Sequence, residues 1–428
     1  MDIYYSRKLR RSLASSPISL PPGSAHYSYG HVADKFLNLF NEMGLVTVEL
    51  ERPEIYLRPP MSEEERAFHF IFKPYDEFRL LKRAFNIAHV AWEFEELPHR
   101  DAWAVGDQRR DDPFSDYVHM LSLPDRIWVG CVYSKAIFAR YGINRVDVVP
   151  APIETPRLGR NRLEEFRKAK ARVTRKRLER VLAIPLTNSV LRDPAQLREH
   201  SVAAASLLQQ KKNVFMLVAN PGDLRKNLPA LVDGFSIAAQ SVSNAVLIVK
   251  LTIDNRTVTL ADVLHNLRRL YLNEEMSLGD ITPTNIYFIS DFLDADQLQA
   301  LYLSADFYLS SAVAEGQNLP LQESMAVGVI PVVANHTAMA DYVDSLNAVL
   351  IDWRHRRATQ SFERAYGLSN LRIPYVEARS VAKAVKQAVA LSERDRIQKR
   401  EAAARVISER YSMPAIGRRI DELLQRTK

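Results

Sequence analysis

A chain of 428 residues, 47% hydrophobic and 25% charged, is too long for one ordinary core and too apolar for wholesale disorder, so two folded domains are expected. Its single cysteine, Cys131 in the run DRIWVGC, excludes a disulfide framework and a Cys-based metal site, and is expected as a buried, inert thiol. The net charge of +7 is local: residues 157–180 hold eleven Lys or Arg against three Glu, a surplus of +8, which leaves the rest near neutral and argues against a nucleic-acid-binding surface.

In chain order, the start MDIYYSRKLRRSLASS carries charges with no apolar h-region after it, and no apolar run approaches the ~18 to 20 residues that cross a bilayer. A cytoplasmic protein is expected. Short apolar runs then alternate with helical patterns, the mark of βα units. Strands are predicted at 45–50, 86–92, 126–131 and 146–150, with a helix in HVADKFLNLFNEMG that ends at Gly44. Residues 1–156 read as one open α/β domain.

Residues 157–212 read as a basic helical linker or insertion, an exposed helix or mobile arm rather than a core element. From 213 a second α/β series follows, with strands at 213–220, 244–251, 285–290, 305–311, 329–334 and 348–352. It fills 213–405. The remainder reads as helices, with 406–428 as a closing helix.

The most informative stretch is LSSAVAEGQNLPLQESMAVGVIPVVA. A strand ending near Ser311 runs into a loop with Glu315, and a helix begins near Pro320, which suits a first helical turn. The free N–H groups of that helix start form an anion site suited to a diphosphate. Glu323 is read into the first turn, where a carboxylate can accept from two vicinal ribose hydroxyls, while Glu315 faces the sugar. The ordinary alternative is a carboxylate that merely complements the helix dipole and a solvated loop glutamate. A second cluster, NPGDLRKNLPALVDGF, sets Arg225 and Lys226 at the opening of a helix, where the dipole disfavours cations unless something needs them. Lys250 closes the strand NAVLIVKL, where it is either a phosphate contact or a snorkelling lysine.

With these residues in view, the chain resembles the retaining, GT-B-fold glycosyltransferases of family 4 through their E-x7-E motif, formed here by Glu315 and Glu323 with Gly316, Gln317, Asn318 and Leu319 between them. The resemblance implies two doubly wound Rossmann-like domains facing a central cleft, with a last helix crossing back to the first domain. It implies that Glu315, Arg225 and Lys226 are catalytic, the two cations offsetting charge on a departing nucleoside diphosphate. It also implies donor binding by Glu323, the loop residues and Lys250. On the acceptor side, NIAHVAWEFEELP resembles a family segment that would bring Trp92 and Glu93 to the cleft. SAHYSYGHVADKF, with Gly30 just before a helix and Ser28, Tyr29 and His31 beside it, corresponds to the family's glycine-rich loop, although only one glycine stands here. His89, inside its strand, is expected as a packed core histidine.

The resemblance implies a nucleotide-sugar donor, a glycan or lipid-linked acceptor of surface polysaccharide synthesis, a front-face retaining route, and neither cofactor nor metal. The sequence agrees in showing no His/Asp cluster of the kind that would hold a divalent ion. Residues 157–180 would either hold such an enzyme at the inner face of an anionic membrane or form a solvated linker. The rival readings are a sugar-nucleotide epimerase on the same fold and a non-enzymatic basic binding protein.

Overall fold

Short runs of apolar and aromatic residues build two parallel sheets, each flanked by helices. The computed structural model describes residues 2–7, 26–56, 67–98, 112–156, 162–187, 201–210, 213–252 and 284–426. The side chain of Ser28, residues 157–161, 188–200 and 211–212 of the expected basic linker, and residues 253–283 lie outside the described residues.

The first sheet comprises β1 (Asp2–Arg7), β2 (Thr47–Glu49), β3 (Ala67–Phe72), β4 (Phe85–Val90), β5 (Arg126–Val129) and β6 (Val146–Val148). All are parallel, in the order β2-β1-β3-β4-β5-β6. Helix α1 (His26–Glu42) buries Ala33, Phe36, Leu39 and Phe40, spaced three and four apart, and ends at Gly44, whose φ of +72° costs glycine nothing. Helices α2 (Tyr117–Ser122) and α3 (Val132–Arg140) follow. Two strands, β1 and β3, have no counterpart among the predicted ones. AFHFIF is buried at every position, so it lacks alternation and carries a polar residue inside the core. That residue, His69, is satisfied by Asn86 Oδ1 at 2.9 Å and Ser6 Oγ at 3.1 Å, and burial pulls its pKa down to about 4. His89 is likewise a packed core histidine, against Phe36 and Phe72 and bonded to the Val149 carbonyl at 3.2 Å. Cys131 caps α3 from a buried position, and burial raises its thiol to about 11, which leaves it protonated and inert.

The second half runs through α4 (Leu163–Thr174), β7 (Leu182–Pro185), β8 (Val202–Ala203), α5 (Ala204–Gln210), β9 (Asn213–Ala219), α6 (Leu228–Ala239), β10 (Ala245–Leu251) and β11 (Ile286–Ile289). It continues with α7 (Ala295–Ser304), β12 (Phe307–Ser310), α8 (Leu319–Ala326), β13 (Ile330–Val333) and β14 (Val349–Leu350). The sheet order is β14-β13-β12-β9-β10-β11-β7-β8, with the six strands from β9 to β14 parallel and β7 antiparallel to β11. An excursion of β15 (Arg354–Arg357), α9 (Gln360–Tyr366) and β16 (Arg372–Tyr375) precedes the closing helices α10 (Ala378–Val389), α11 (Glu393–Arg410) and α12 (Met413–Arg426).

The stretch expected as a basic linker or mobile arm is, in its described part, a piece of the second body. β7 and β8 extend the sheet, and α4 turns Leu163, Phe166 and Arg167 inward on one stripe while Lys168 and Lys170 face out, as does Lys176 in the 3-10 turn that follows. The Arg167 guanidinium donates to the Val327 and Ala305 carbonyls, both at 2.6 Å, and Arg400 ties Glu164 at 3.1 Å to Asp306 at 2.8 Å. A charge count sees eleven cations here and cannot see that one of them is a buried donor. Arg167→Met should cost about 2–4 kcal/mol in urea melts, because two buried carbonyls lose their partner. Lys168→Ala should stay within about 0.5 kcal/mol.

Apolar faces of two helices help to bind the halves together. Met413, Ile416, Ile420 and Leu424 of α12 enter the first half's core beside Phe36, Leu39, Trp128 and Val149, so the closing helix does cross back. In the other direction, Phe362 and Tyr366 of α9 pack on Phe94, with ring centroids 5.9 and 4.8 Å away, and close the core around Trp92 and Tyr117.

Candidate functional site

Open parallel sheets place ligands beyond the carboxyl ends of their strands, where the strand order reverses. In the second sheet that reversal lies between β9 and β12, and the loops after these two strands are the two clusters singled out in the sequence. After β9, Leu224–Lys226 form a single 3-10 turn capped by Asp223, and Asn227, with φ of +48°, redirects the chain into α6. After β12, Ser311 donates to the Asn227 carbonyl at 2.9 Å, and the Val313 N–H donates to the Arg225 carbonyl at 2.8 Å. The two loops are thus zipped together.

Within them, Lys226 Nζ lies 2.6 Å from Glu315 Oε1, and both side chains are almost wholly buried. The Glu315 N–H donates to Thr337 Oγ1 at 3.2 Å, and its carbonyl accepts from Ala338 N at 3.2 Å. Thr337 is held at φ +48° and Asn318 at +62°, so with Asn227 three non-glycine residues in the left-handed region surround Glu315. Such strain persists where the surroundings impose it, and it concentrates at binding sites.

Arg225 is held from both halves of the chain. Asp223 takes its Nη2 at 2.6 Å and Nε at 2.9 Å, and Glu93, beyond the end of β4, takes Nη1. Burial pushes the Glu93 carboxyl above the usual carboxylate range, with Arg225 opposing, whereas at Asp223 burial is outweighed by Arg225 and the pKa falls to about 2. The Tyr366 hydroxyl donates to Asp223 Oδ1 at 2.7 Å and accepts the Arg225 backbone N–H at 3.2 Å.

Glu323 is the fifth residue of α8 and so lies beyond the first turn, where the sequence reading set it. Asn318 closes the loop in a left-handed conformation, so the helix starts at Leu319 with Pro320 second. Its Oε1 is 2.8 Å from Lys35 Nζ and 3.5 Å from His31 Nε2, both on α1, and its Oε2 accepts from Tyr302 at 3.1 Å. Burial alone would raise this carboxyl; His31 and Lys35 outweigh it and hold it at about 2. A depressed carboxyl adds stability that is fully present above the unfolded value near 4.5 and is lost as pH falls toward 2. Glu323→Gln should remove that component, on the order of 3 kcal/mol, so that its stability curve is flatter than wild type between those pH values in urea melts at stepped pH.

The other expected contacts divide. Gln317 joins the halves: its amide donates to the Ala151 carbonyl and accepts the Ala151 N–H, each at 2.8 Å. Gly316 sits against Glu93 and Ala91, and its carbonyl faces Gly130. Leu319 packs into both cores, while Asn318 Oδ1 and Gln322 Nε2 are buried without a hydrogen-bond partner among the described residues. Lys250 does not join the cluster; its ammonium donates to the Leu251 carbonyl, and burial lowers its pKa to about 8. Trp92, expected at the cleft, is a core residue whose indole donates to the Phe94 carbonyl at 2.9 Å, because the chain turns after β4 and leaves only Glu93 to reach across. Tyr29 is buried, bonded to the Ala91 backbone. Gly30 lies inside α1 rather than before it, since the helix begins at His26.

Participants that escaped the sequence reading include Lys35, Asp223, Gln322, Tyr366 and Gly130. Lys35 was within reach, standing four residues after His31 and hence on the same helix face. Among the described residues, no group of three or more His, Cys, Asp or Glu is arranged to hold a metal ion. No described helix is long and apolar enough to cross a membrane.

No protein-family model matches the chain, and no curated protein matches it in sequence. Solved structures do share its fold. Trehalose-6-phosphate synthase OtsA superposes with a TM-score of 0.57 at 14% identity, over 99% of each chain. Sucrose-phosphate synthase from Thermosynechococcus elongatus gives 0.56 at 11% identity, over 100% of this chain and 99% of that one. Anabaena HepE, in complex with UDP and glucose, gives 0.53 at 11% identity over both complete chains. The two α/β halves form the two-Rossmann-domain GT-B fold that these structures share.

Proposed function

We propose that this protein is a glycosyltransferase that binds a nucleoside-diphosphate sugar between its halves and retains anomeric configuration without a metal, in the manner of family 4. The observation that carries the reading is the buried Lys226–Glu315 pair at the reversal point of the second sheet, beside the N-terminus of α8. Similar folds that hold UDP and glucose favour a UDP-sugar as the first donor to try.

In this mechanism the Lys226 ammonium and the free N–H groups of α8 offset the charge of the leaving diphosphate, and Glu315 fixes the ammonium and faces the sugar. Arg225 adds its charge when the diphosphate displaces Glu93 from Nη1, while Asp223 keeps the opposite edge of the guanidinium. Asn318 Oδ1 and Gln322 Nε2 are buried polar atoms available to sugar or ribose hydroxyls. The bond from C1 to the phosphate oxygen breaks as the acceptor oxygen bonds to C1 on the same face, and the acceptor's proton passes to the leaving phosphate. A glycan or lipid-linked acceptor of surface polysaccharide synthesis fits this chemistry, and the exposed Lys168 of α4 and Lys176 of the turn after it would meet an anionic membrane. Sedimentation with phosphatidylserine vesicles at low salt tests the last point: Lys168 and Lys176 changed to Glu should abolish cosedimentation.

A thermal-shift panel of UDP, GDP, TDP, CMP and ATP tests the core of the reading. One diphosphate at ~100 times its dissociation constant should stabilise the fold by about 2.7 kcal/mol. Glu323→Ala should weaken that shift. No shift with any nucleotide would remove the donor site, and product formed with no acceptor present would mean an epimerase.

A further inference from the structure

We infer that Tyr366 is a positioning residue for Arg225, acting through Asp223. The inference rests on the reading of Arg225 as a cation of the donor site. Tyr366 belongs to the excursion between β14 and α10, which the chain could omit without breaking either sheet. Its hydroxyl nevertheless makes two contacts at the centre of the cleft, donating to Asp223 Oδ1 at 2.7 Å and accepting the Arg225 N–H at 3.2 Å. Asp223 Oδ1 also takes Arg225 Nε at 2.9 Å, and Oδ2 takes Nη2 at 2.6 Å. With both carboxylate oxygens filled, the guanidinium is pinned along one edge, and Nη1 is the nitrogen turned toward the first half, where Glu93 meets it. An arginine presenting a fixed edge loses less freedom on binding an anion than one that swings.

The excursion is built to hold the hydroxyl there. Thr359 caps α9 by accepting the Phe362 N–H at 3.3 Å, and Gly367 ends it at φ +66°. Phe362 and Tyr366, four apart, rest the same face on Phe94, the residue after Glu93. Tyr366 therefore fixes Arg225 in an arrangement that depends on Phe94 being in place, which makes the cation's aim conditional on contact between the halves.

Tyr366→Phe keeps the ring on Phe94 and removes only the hydroxyl. In the full-length protein without ligand, the Arg225 side-chain Nε–H resonance should exchange with water at least several-fold faster in Tyr366→Phe. With UDP as probe, calorimetry should give about a tenfold weaker dissociation constant, the equivalent of one charge-assisted hydrogen bond. Phe362→Ala, which loosens packing but leaves the hydroxyl, should affect melting more than Arg225 exchange. Unchanged Nε–H exchange in Tyr366→Phe overturns the inference, as does an equal acceleration by Phe362→Ala. Arg225→Ala separates the two levels: full UDP affinity there removes Arg225 from the donor site, while the exchange measurement still decides what Tyr366 does.

Discussion

Lys226→Met should lower turnover about 10²–10³-fold at saturating donor, the usual cost of removing one pre-placed charge from a site where negative charge develops. The substitution also strands Glu315 in a buried position, and breaking such a pair by deleting one partner costs about 3–5 kcal/mol. Loss of activity alone would therefore be ambiguous. The double substitution Lys226→Met with Glu315→Gln resolves it: with no uncompensated charge left, its urea midpoint should return most of the way to wild type while turnover stays at the low level. Recovery of both would make the pair structural, and the donor reading would lose its central residue.

Gly130→Ala should be nearly as damaging to activity while leaving each half folded. Gly130 follows β5, and a Cβ placed there would stand 2.7 Å from the Gly316 carbonyl oxygen and 3.3 Å from the Gln317 side chain. The glycine is required by close approach of the halves, since its φ is not left-handed. Backbone cannot yield as a side-chain tip can, so the methyl must push the Glu315 loop away from the first half. A displacement near 1 Å at reacting groups costs on the order of 10²-fold in rate. Steady-state kinetics should show that fall, small-angle scattering a larger radius of gyration, and Gly30→Ala neither, because nothing lies within 4 Å of a Cβ at Gly30.

Much of this site could be read from single residues, and the reason for each failure is physical. Glu315, Lys226 and Arg225 lie on loops that follow recognisable strands, so their position at the carboxyl ends follows from the alternation of elements alone. The β9 and β12 strands are continuous apolar runs and announce themselves. β1 and β3 do not, because DIYYSR and AFHFIF mix polar groups that are satisfied only by partners distant in sequence, as His69 is by Ser6 and Asn86. Asp223 stands two residues from Arg225 and reads as an ordinary cap until the guanidinium is seen folded back upon it. Trp92 and Glu93 are neighbours, yet one is core and the other bridges the cleft, a division set by where the chain turns after β4. Tyr366 sits on an excursion with no pattern to link it to β9, and only tertiary structure brings it there.

The return of α12 to the first half has a consequence for biosynthesis. Domains usually fold as they leave the ribosome, the N-terminal one first. Here Phe36, Leu39 and Trp128 are covered by Ile416, Ile420 and Leu424, which are translated only after the whole second sheet. The first sheet must therefore wait, with an apolar face uncovered, through synthesis of every strand of the second, and that interval is when a holding chaperone would meet this chain.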